Sequence, residues 1–375
     1  HIFNWILLKL SPRCNLNCSY CYWFRDEEVY NKPVVFLPEV EEAFINKLEQ
    51  HLIQYNLKEF VILFHGGEPL LFGKKRFNSF CEKIKGVEKS TNSSIDLRIT
   101  TNATLIDQEW GEIFIRHKIY VTVSIDGPEE MHNKFRVDFK GKGTFEKVLR
   151  GIHILKNLKV PFGILSVCDP HSNPETLYHF LTEELGVKSF DVLKPDATYD
   201  EAPASILSYY KKLFDLWYPN YPRSGVHLRL FESMIKGLCN RRAGVEGLGY
   251  SPLTTLCLAS DGALEPNDVL AIIGKGSRKT NYNILTHTFQ DILQDPIWLE
   301  AYQSSINLAE KCNQCEYKFA CGGGSLAHRF STKNRFNNPS VYCEDLKGLF
   351  SYIWKSILDD ITIEIIPKEE VGSID

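Results

Sequence analysis

The chain has no apolar run approaching the length needed to cross a bilayer, and its opening, HIFNWILLKLSPRC, lacks the basic stretch, apolar stretch and cleavage site of a secretory signal. It also lacks a basic surplus. Lys and Arg number 43 against 47 Asp and Glu, a formal net charge of −4, so neither a general nucleic-acid binder nor an anionic-membrane binder is expected. No internal repeat or low-complexity tract interrupts it. Together these absences point to a cytoplasmic protein. In that reducing compartment the 11 cysteines are mostly thiols, and their clustering favours metal or cluster ligation over a disulfide framework. At 375 residues the chain is long enough for two domains and a large core, so disulfides are not needed to compensate for missing burial.

What is present is a βα rhythm. From residue 5 to about 195, short β-rich runs alternate with amphipathic segments: WILLKLS (5–11), FVILF (60–64), DLRIT (96–100), YVTVSI (120–125), FGILSV (162–167) and FDVL (190–193). Six such units predict an α/β chain folded as a partial (β/α)6 TIM-type barrel with an open side. In the segment 38–57, Val40, Ala43, Phe44, Leu48 and Leu52 recur at helical spacing behind Glu39, Glu41 and Glu42, which favour the positive end of the helix. That stripe reads as core packing. Residues 203–240 read as helical, broken by Pro219 and Pro222. Beyond residue 245 Gly and Asn become common, strands shorten, and cysteines stand at 257, 312, 315, 321 and 343. The expected division is therefore a barrel over 1–202, a helical bridge over 203–245 and a cysteine-rich α+β domain over 246–375. That last part closes with a helix from about 344 to 360, and the tail PKEEVGSID is expected to be mobile.

Cys14, Cys18 and Cys21, in CNLNCSYC, follow the first strand directly, so they occupy a loop at its C-terminal end, where barrels place their chemistry. Three thiolates so close together can ligate three irons of a [4Fe-4S] cube, leaving the fourth iron open to a small molecule. A structural zinc or cluster site completed by a ligand from elsewhere is the competing reading, although zinc sites more often pair ligands as CxxC.

The CxxxCxxC spacing, with Tyr20 before the last cysteine, resembles the signature of the radical S-adenosylmethionine (SAM) superfamily. The likeness continues along the barrel. HGGEP (65–69) resembles the family's GGEP motif, which implies that Gly66, Gly67 and Glu68 contact the amino group of SAM, the glycines allowing close backbone approach. Thr101 and Asn102 end the third strand in TTNAT, and Ser124 and Asp126 end the fourth in SIDG; the resemblance gives these the ribose and methionine parts of SAM. Each alone is a common turn former. Arg136 stands as in the family's DGxxxxHDxxR pattern, where an arginine meets the SAM carboxylate, while Asn133 departs from the usual Asp and His132 reads as a packed loop histidine.

Cys312, Cys315, Cys321 and Cys343 supply four thiolates for one complete cluster, or for a structural zinc. The region resembles the SPASM extension of radical SAM peptide-modifying enzymes, which usually carries two auxiliary clusters. Here Ser325 and Asn267 stand where two further cysteines belong, so one auxiliary [4Fe-4S] cluster is expected and Cys257 has no role. Cys81, Cys168 and Cys239 read as buried small apolar side chains. Asp268, in DGALEPND, resembles the aspartate that acts as a base in sulfatase-maturing relatives, against the alternative of an aspartate capping a turn.

CGGGSLAHRFS (321–331) and NNPSVYCEDL (337–346) resemble the subgroup that cyclises ribosomally made peptides into three-residue cyclophanes. There His328 and Arg329 either line a peptide channel or hold the cluster loop. The resemblance implies hydrogen abstraction from a Cβ of a precursor peptide, addition of that carbon to an aromatic ring, and loss of a proton to Asp268 and an electron to the auxiliary cluster. Thioether formation, sulfatase-type oxidation of Cys or Ser, and a non-catalytic iron-sulfur protein are the competing readings. The expected partners are the precursor peptide and an electron donor such as flavodoxin or ferredoxin; no leader-recognition domain is visible before the first strand, so leader binding is expected to use the barrel or bridge, a separate leader-binding protein, or residues outside this sequence.

Overall fold

A computed structural model describes residues 1–245 and 247–365; the tail expected to be mobile lies outside them. The six predicted strands form, as β1 (Trp5–Ser11), β2 (Glu59–Gly66), β3 (Ser94–Thr101), β4 (Tyr120–Ser124), β5 (Phe162–Val167) and β6 (Ser189–Leu193). Each pairs in parallel with its sequence neighbour. Parallel neighbours need long crossovers, and helices supply them: α1 (Pro38–Gln54), α2 (Lys74–Thr91), α3 (Gln108–Arg116), α4 (Glu129–Phe135), α5 (Phe145–Asn157) and α6 (Pro174–His179).

The sheet runs past the six units at both edges. At one, β7 (His227–Leu228) pairs with β6; at the other, β8 (Cys257–Leu258) pairs in parallel with β1 and forms a hairpin with β9 (Leu264–Glu265). The spatial order is β7-β6-β5-β4-β3-β2-β1-β8-β9. Strand runs of two residues carry no periodicity, which is why neither edge extension is visible in the sequence.

Phe60, Ile62 and Phe64 of β2 share a core with Val40, Phe44, Leu48 and Leu52 of α1, the stripe read from the sequence. Each such side chain contributes roughly 1.5–3 kcal/mol on burial. The opposite face of β1 and β2 carries Leu7, Lys9, Leu63 and His65, with Lys9 in register with His65 and Leu7 in register with Cys257. Because the strands are parallel, the loops after β1, β2, β3 and β4 all leave from one rim.

Helices Leu207–Trp217 and Arg229–Leu238 occupy the region read as a helical bridge, and Pro219 and Pro222 sit in the first turns of two short helices between them. The closing helix spans Cys343–Ile365. Cys81 and Cys168 are buried as expected; Cys239 is exposed, a correction. It follows the last residue of helix Arg229–Leu238, where the chain turns outward.

Candidate functional site

The loop from Pro12 to Cys21 is pinned at several points. The Trp23 indole donates to the Pro12 carbonyl at 3.1 Å, the Cys21 amide to the Cys18 carbonyl at 3.1 Å, and the Leu16 amide to the Cys14 sulfur at 3.4 Å. β2 supports it from below. The Gly67 and Glu68 amides donate to the Ser11 and Arg13 carbonyls at 2.9 and 2.8 Å. A Cβ on Gly66, whose φ is +140°, would lie 2.1 Å from the Ser11 oxygen, and one on Gly67 would lie 2.4 Å from the Arg13 oxygen. Only glycine permits this approach.

Burial pushes the Cys14 thiol up to about 12 and Cys18 to about 11, and raises Cys21 as well, while a thiolate at one raises its neighbours further. Three thiols that resist ionising alone, on one short loop, fit a site whose charge is supplied by metal. Asn102 Nδ2 donates to Cys14 Sγ at 3.6 Å and to Asn15 Oδ1 at 2.9 Å, and Asn15 in turn donates to Thr104 at 2.8 Å. The third rim loop is thereby tied to the first.

Glu68 has no exposed surface. Its two carboxylate oxygens accept from the Asn102 amide (2.8 Å), the Thr101 hydroxyl (2.8 Å) and the Leu70 amide (3.0 Å). The side chain therefore binds the end of β3, and the peptide groups of Gly66–Glu68 are what remains for a ligand. Burial pushes its carboxyl up to about 7, against the pull of those donors.

Asp126 collects Arg136 Nε at 2.8 Å and Nη2 at 3.3 Å, the Val167 amide at 3.0 Å and the Tyr20 hydroxyl. The Arg136 guanidinium lies 5.3 Å from the Tyr20 ring centre. Three residues singled out separately in the sequence thus form one buried group. Ser124 ends β4 on the same rim and is buried. His132 is packed as expected, its ring bonded to Thr144 at 3.1 Å.

Asp268 opens a turn of 3-10 helix, Asp268–Ile273, beyond β9. It does not cap this turn: Asn267 does, accepting from the Val269 amide at 3.1 Å. Asp268 Oδ2 accepts instead from the Lys9 ammonium and from the Tyr22 hydroxyl at 2.6 Å, with His65 Nδ1 at 4.0 Å. Lys9 Nζ is also 3.0 Å from His65 Nδ1. Lys9 holds the Asp268 carboxyl well below the usual carboxylate range despite its burial, and burial together with Lys9 lowers His65 to about 3. The group is an anion, a cation and a neutral imidazole. Sequence reading missed Lys9, Tyr22 and His65; the available signal was a lysine inside the otherwise apolar run WILLKLS.

Cys312, Cys315, Cys321 and Cys343 all line one cavity of about 240 Å³. Burial pushes Cys321 up to about 12 and raises Cys312 and Cys343. Four thiols around one cavity suit a multi-iron cluster better than a zinc, since among the described residues no three His, Cys, Asp or Glu side chains are placed to hold a single metal ion. Gly322, Gly323 and Gly324 all have positive φ, which the loop after Cys321 requires. Cys257 is buried in β8 away from this group. Arg329 ties together two segments that precede Cys312 and Cys343, donating to the carbonyls of Ser304, Asn307, Phe336 and Asn338. His328 is buried against Tyr342, its Nε2 3.7 Å from Asp196.

A sequence profile of the radical SAM superfamily matches residues 8–183. The cysteine-type anaerobic sulfatase-maturating enzyme of Clostridium perfringens (strain 13 / Type A) is 26% identical over 370 residues, which are 94% of this chain and 97% of that protein. The serine-type anaerobic sulfatase-maturating enzyme of Bacteroides thetaiotaomicron is 34% identical over 176 residues, 45% of this chain and 41% of that one. A solved structure, native anSMEcpe with bound AdoMet and Kp18Cys peptide, is 26% identical and superposes with a TM-score of 0.84, covering 96% of this chain and 99% of that one. No helix among the described residues is long and apolar enough to cross a membrane. The three-cysteine rim loop lies inside the matched residues 8–183, so this part of the chain is a radical SAM domain, whose cofactors are SAM and a [4Fe-4S] cluster.

Proposed function

We propose that the protein modifies a ribosomally made peptide, taking a hydrogen from a side-chain Cβ and joining that carbon to a nearby aromatic ring as a cyclophane. The observation that carries this reading is the placement of a buried, ionised Asp268, with Tyr22, Lys9 and His65, beside the cysteine loop. The domain reading goes with it: barrel over 1–202, bridge over 203–245, auxiliary-cluster domain over 246–375.

Cys14, Cys18 and Cys21 would hold the SAM-binding cluster, and Cys312, Cys315, Cys321 and Cys343 the auxiliary one. Bound SAM supplies a carbon radical able to break an unactivated C–H bond, and the auxiliary cluster supplies one-electron transfer. The chain's own residues position and exclude. The peptide groups of Gly66–Glu68 would take the SAM amino group and Arg136 its carboxylate, and Thr101, Asn102, Ser124 and Asp126 would supply hydrogen bonds to the remainder, with Tyr20 packed on Arg136. Because Asp126 and Arg136 already neutralise each other, a ligand carboxylate shares the guanidinium rather than meeting a free cation. Asp268 takes the proton that the cross-linked ring must lose to regain aromaticity.

A second reading, oxidation of a Cys or Ser side chain to a carbonyl, is favoured by the nearly full-length similarity to anaerobic sulfatase-maturating enzymes. The two separate by mass spectrometry of a co-expressed peptide. A two-hydrogen loss confined to one tripeptide and inert to carbonyl reagents supports the cyclophane, and a product trapped by a hydrazide supports the other. In either case Asp268→Asn enzyme is expected to keep forming 5'-deoxyadenosine while peptide product falls about 10²–10⁴-fold. An Asp268→Asn enzyme with unchanged product yield would remove Asp268 from the chemistry. The electron donor is a low-potential protein such as flavodoxin or ferredoxin.

A further inference from the structure

Arg329 is 1% exposed, yet none of its hydrogen bonds goes to a carboxylate. Its acceptors are backbone carbonyls: Ser304 at 2.7 Å, Phe336 at 2.9 Å, Asn338 at 3.2 Å and Asn307 at 3.4 Å. Carbonyl dipoles solvate a guanidinium without cancelling its charge. By contrast, the other deeply buried arginines are neutralised, Arg278 by Asp26 and Glu265 and Arg136 by Asp126. A buried cation without a counter-ion is costly, and the fold keeps this one at a particular place.

That place is behind one wall of the four-cysteine cavity, the wall that Gly323 lines. A Cβ on Gly323 would lie 3.5 Å from Arg329 Cδ and 3.6 Å from Nη1, so the bare glycine lets the guanidinium pack on the loop two residues after Cys321. The Gly324 amide in turn donates to the Cys321 carbonyl at 3.1 Å. Lys311, Lys318 and Lys347 also line the cavity, but Lys311 is exposed and spent on Glu344, and solvent screens such charges.

We propose that Arg329 is the built-in counter-charge of the auxiliary cluster and raises its reduction potential, making it a competent acceptor for the electron released by the substrate. This rests on the reading that Cys312, Cys315, Cys321 and Cys343 hold an iron-sulfur cluster. Reduction adds one unit of negative charge to such a cluster, so a fixed cation in a low-dielectric wall favours the reduced form. Arg329 is a positioning residue in this sense: it acts through the cluster and touches no substrate.

The test is the midpoint potential of the auxiliary cluster, followed by EPR-monitored redox titration in a C14A/C18A/C21A background that leaves one cluster to observe. R329Q removes the charge and part of the clamp; R329K keeps the charge and loses most of the clamp. The expected result is a more negative potential in R329Q with R329K close to the parent. Equal potentials in parent and R329Q, or an equal fall in R329K and R329Q, overturn the proposal, the latter because it makes the clamp responsible. Should R329Q fail to assemble the cluster, R329K against the parent decides: a retained potential supports the counter-charge and a fallen one sinks it. A parent protein that binds zinc or no iron at these cysteines instead overturns the cluster reading itself, and iron and sulfide content reports that separately.

Discussion

Removing the Lys9 ammonium puts the largest electrostatic strain on the site. Lys9 and Asp268 are 1% and 7% exposed at their side chains, so Lys9→Met leaves a carboxylate buried with only the Tyr22 hydroxyl and a neutral His65 for company. Breaking a buried pair from one side costs about 3–5 kcal/mol. Asp268→Asn, which leaves the ammonium alone, should cost a similar amount. The double variant K9M/D268N removes both charges, so its loss should fall short of the sum of the singles by about 3 kcal/mol, at the upper end of measured couplings. The sign with pH follows from the carboxyl. In the parent, Asp268 is depressed below its ordinary value, so its stabilising contribution is present above the unfolded-state value near 3.9 and is lost only as pH falls below it. Without Lys9, burial raises the same carboxyl, and the variant then loses stability as pH rises through the raised value. Urea unfolding of the metal-free protein at pH 5 and pH 8 should therefore show the gap between parent and K9M widening with pH. Single-variant losses that add within about 0.5 kcal/mol, or a gap indifferent to pH, would refute the account of Lys9 and Asp268 as a coupled pair.

Gly67→Ala should abolish iron incorporation at the first cluster, because its Cβ would meet the Arg13 carbonyl at 2.4 Å; iron content after reconstitution checks it, and a normal yield in G67A would count against the close approach. Glu68 works in the opposite sense to Asp268. Burial raises its carboxyl to about 7, so the metal-free protein should lose up to about 3 kcal/mol as pH rises from 4.5 to 7, and Glu68→Gln should flatten that slope in unfolding curves. Arg136→Met strands Asp126 and should weaken SAM binding by at least tenfold in calorimetry of the reconstituted enzyme, with Arg136→Lys restoring part of it.

The parts of this site that were legible in the sequence are those in which chemistry demands a residue type at short spacing. Cys14, Cys18 and Cys21 stand close in sequence on one loop, and Gly66 and Gly67 had to be glycine because of the carbonyls beneath them. Strands of five to eight residues were legible for a similar local reason, as short β-rich apolar runs. The Asp268 group obeys no such rule. Its members come from positions 9, 22, 65 and 268, and only the pairing of β1 with both β2 and β8 brings them together. Read locally, Lys9 is an anomaly in a buried strand and His65 a preface to two glycines. In the fold they are cross-strand partners, Lys9 opposite His65 in register, and a hairpin from beyond residue 256 delivers the carboxylate that makes the lysine tolerable there. Arg329 makes the same point elsewhere: the sequence left it between a peptide channel and a cluster loop, and its four carbonyl partners lie on segments 304–307 and 336–338. A buried charge is thus a sequence-level signal whose meaning lies in its partner, and long-range strand register chooses that partner.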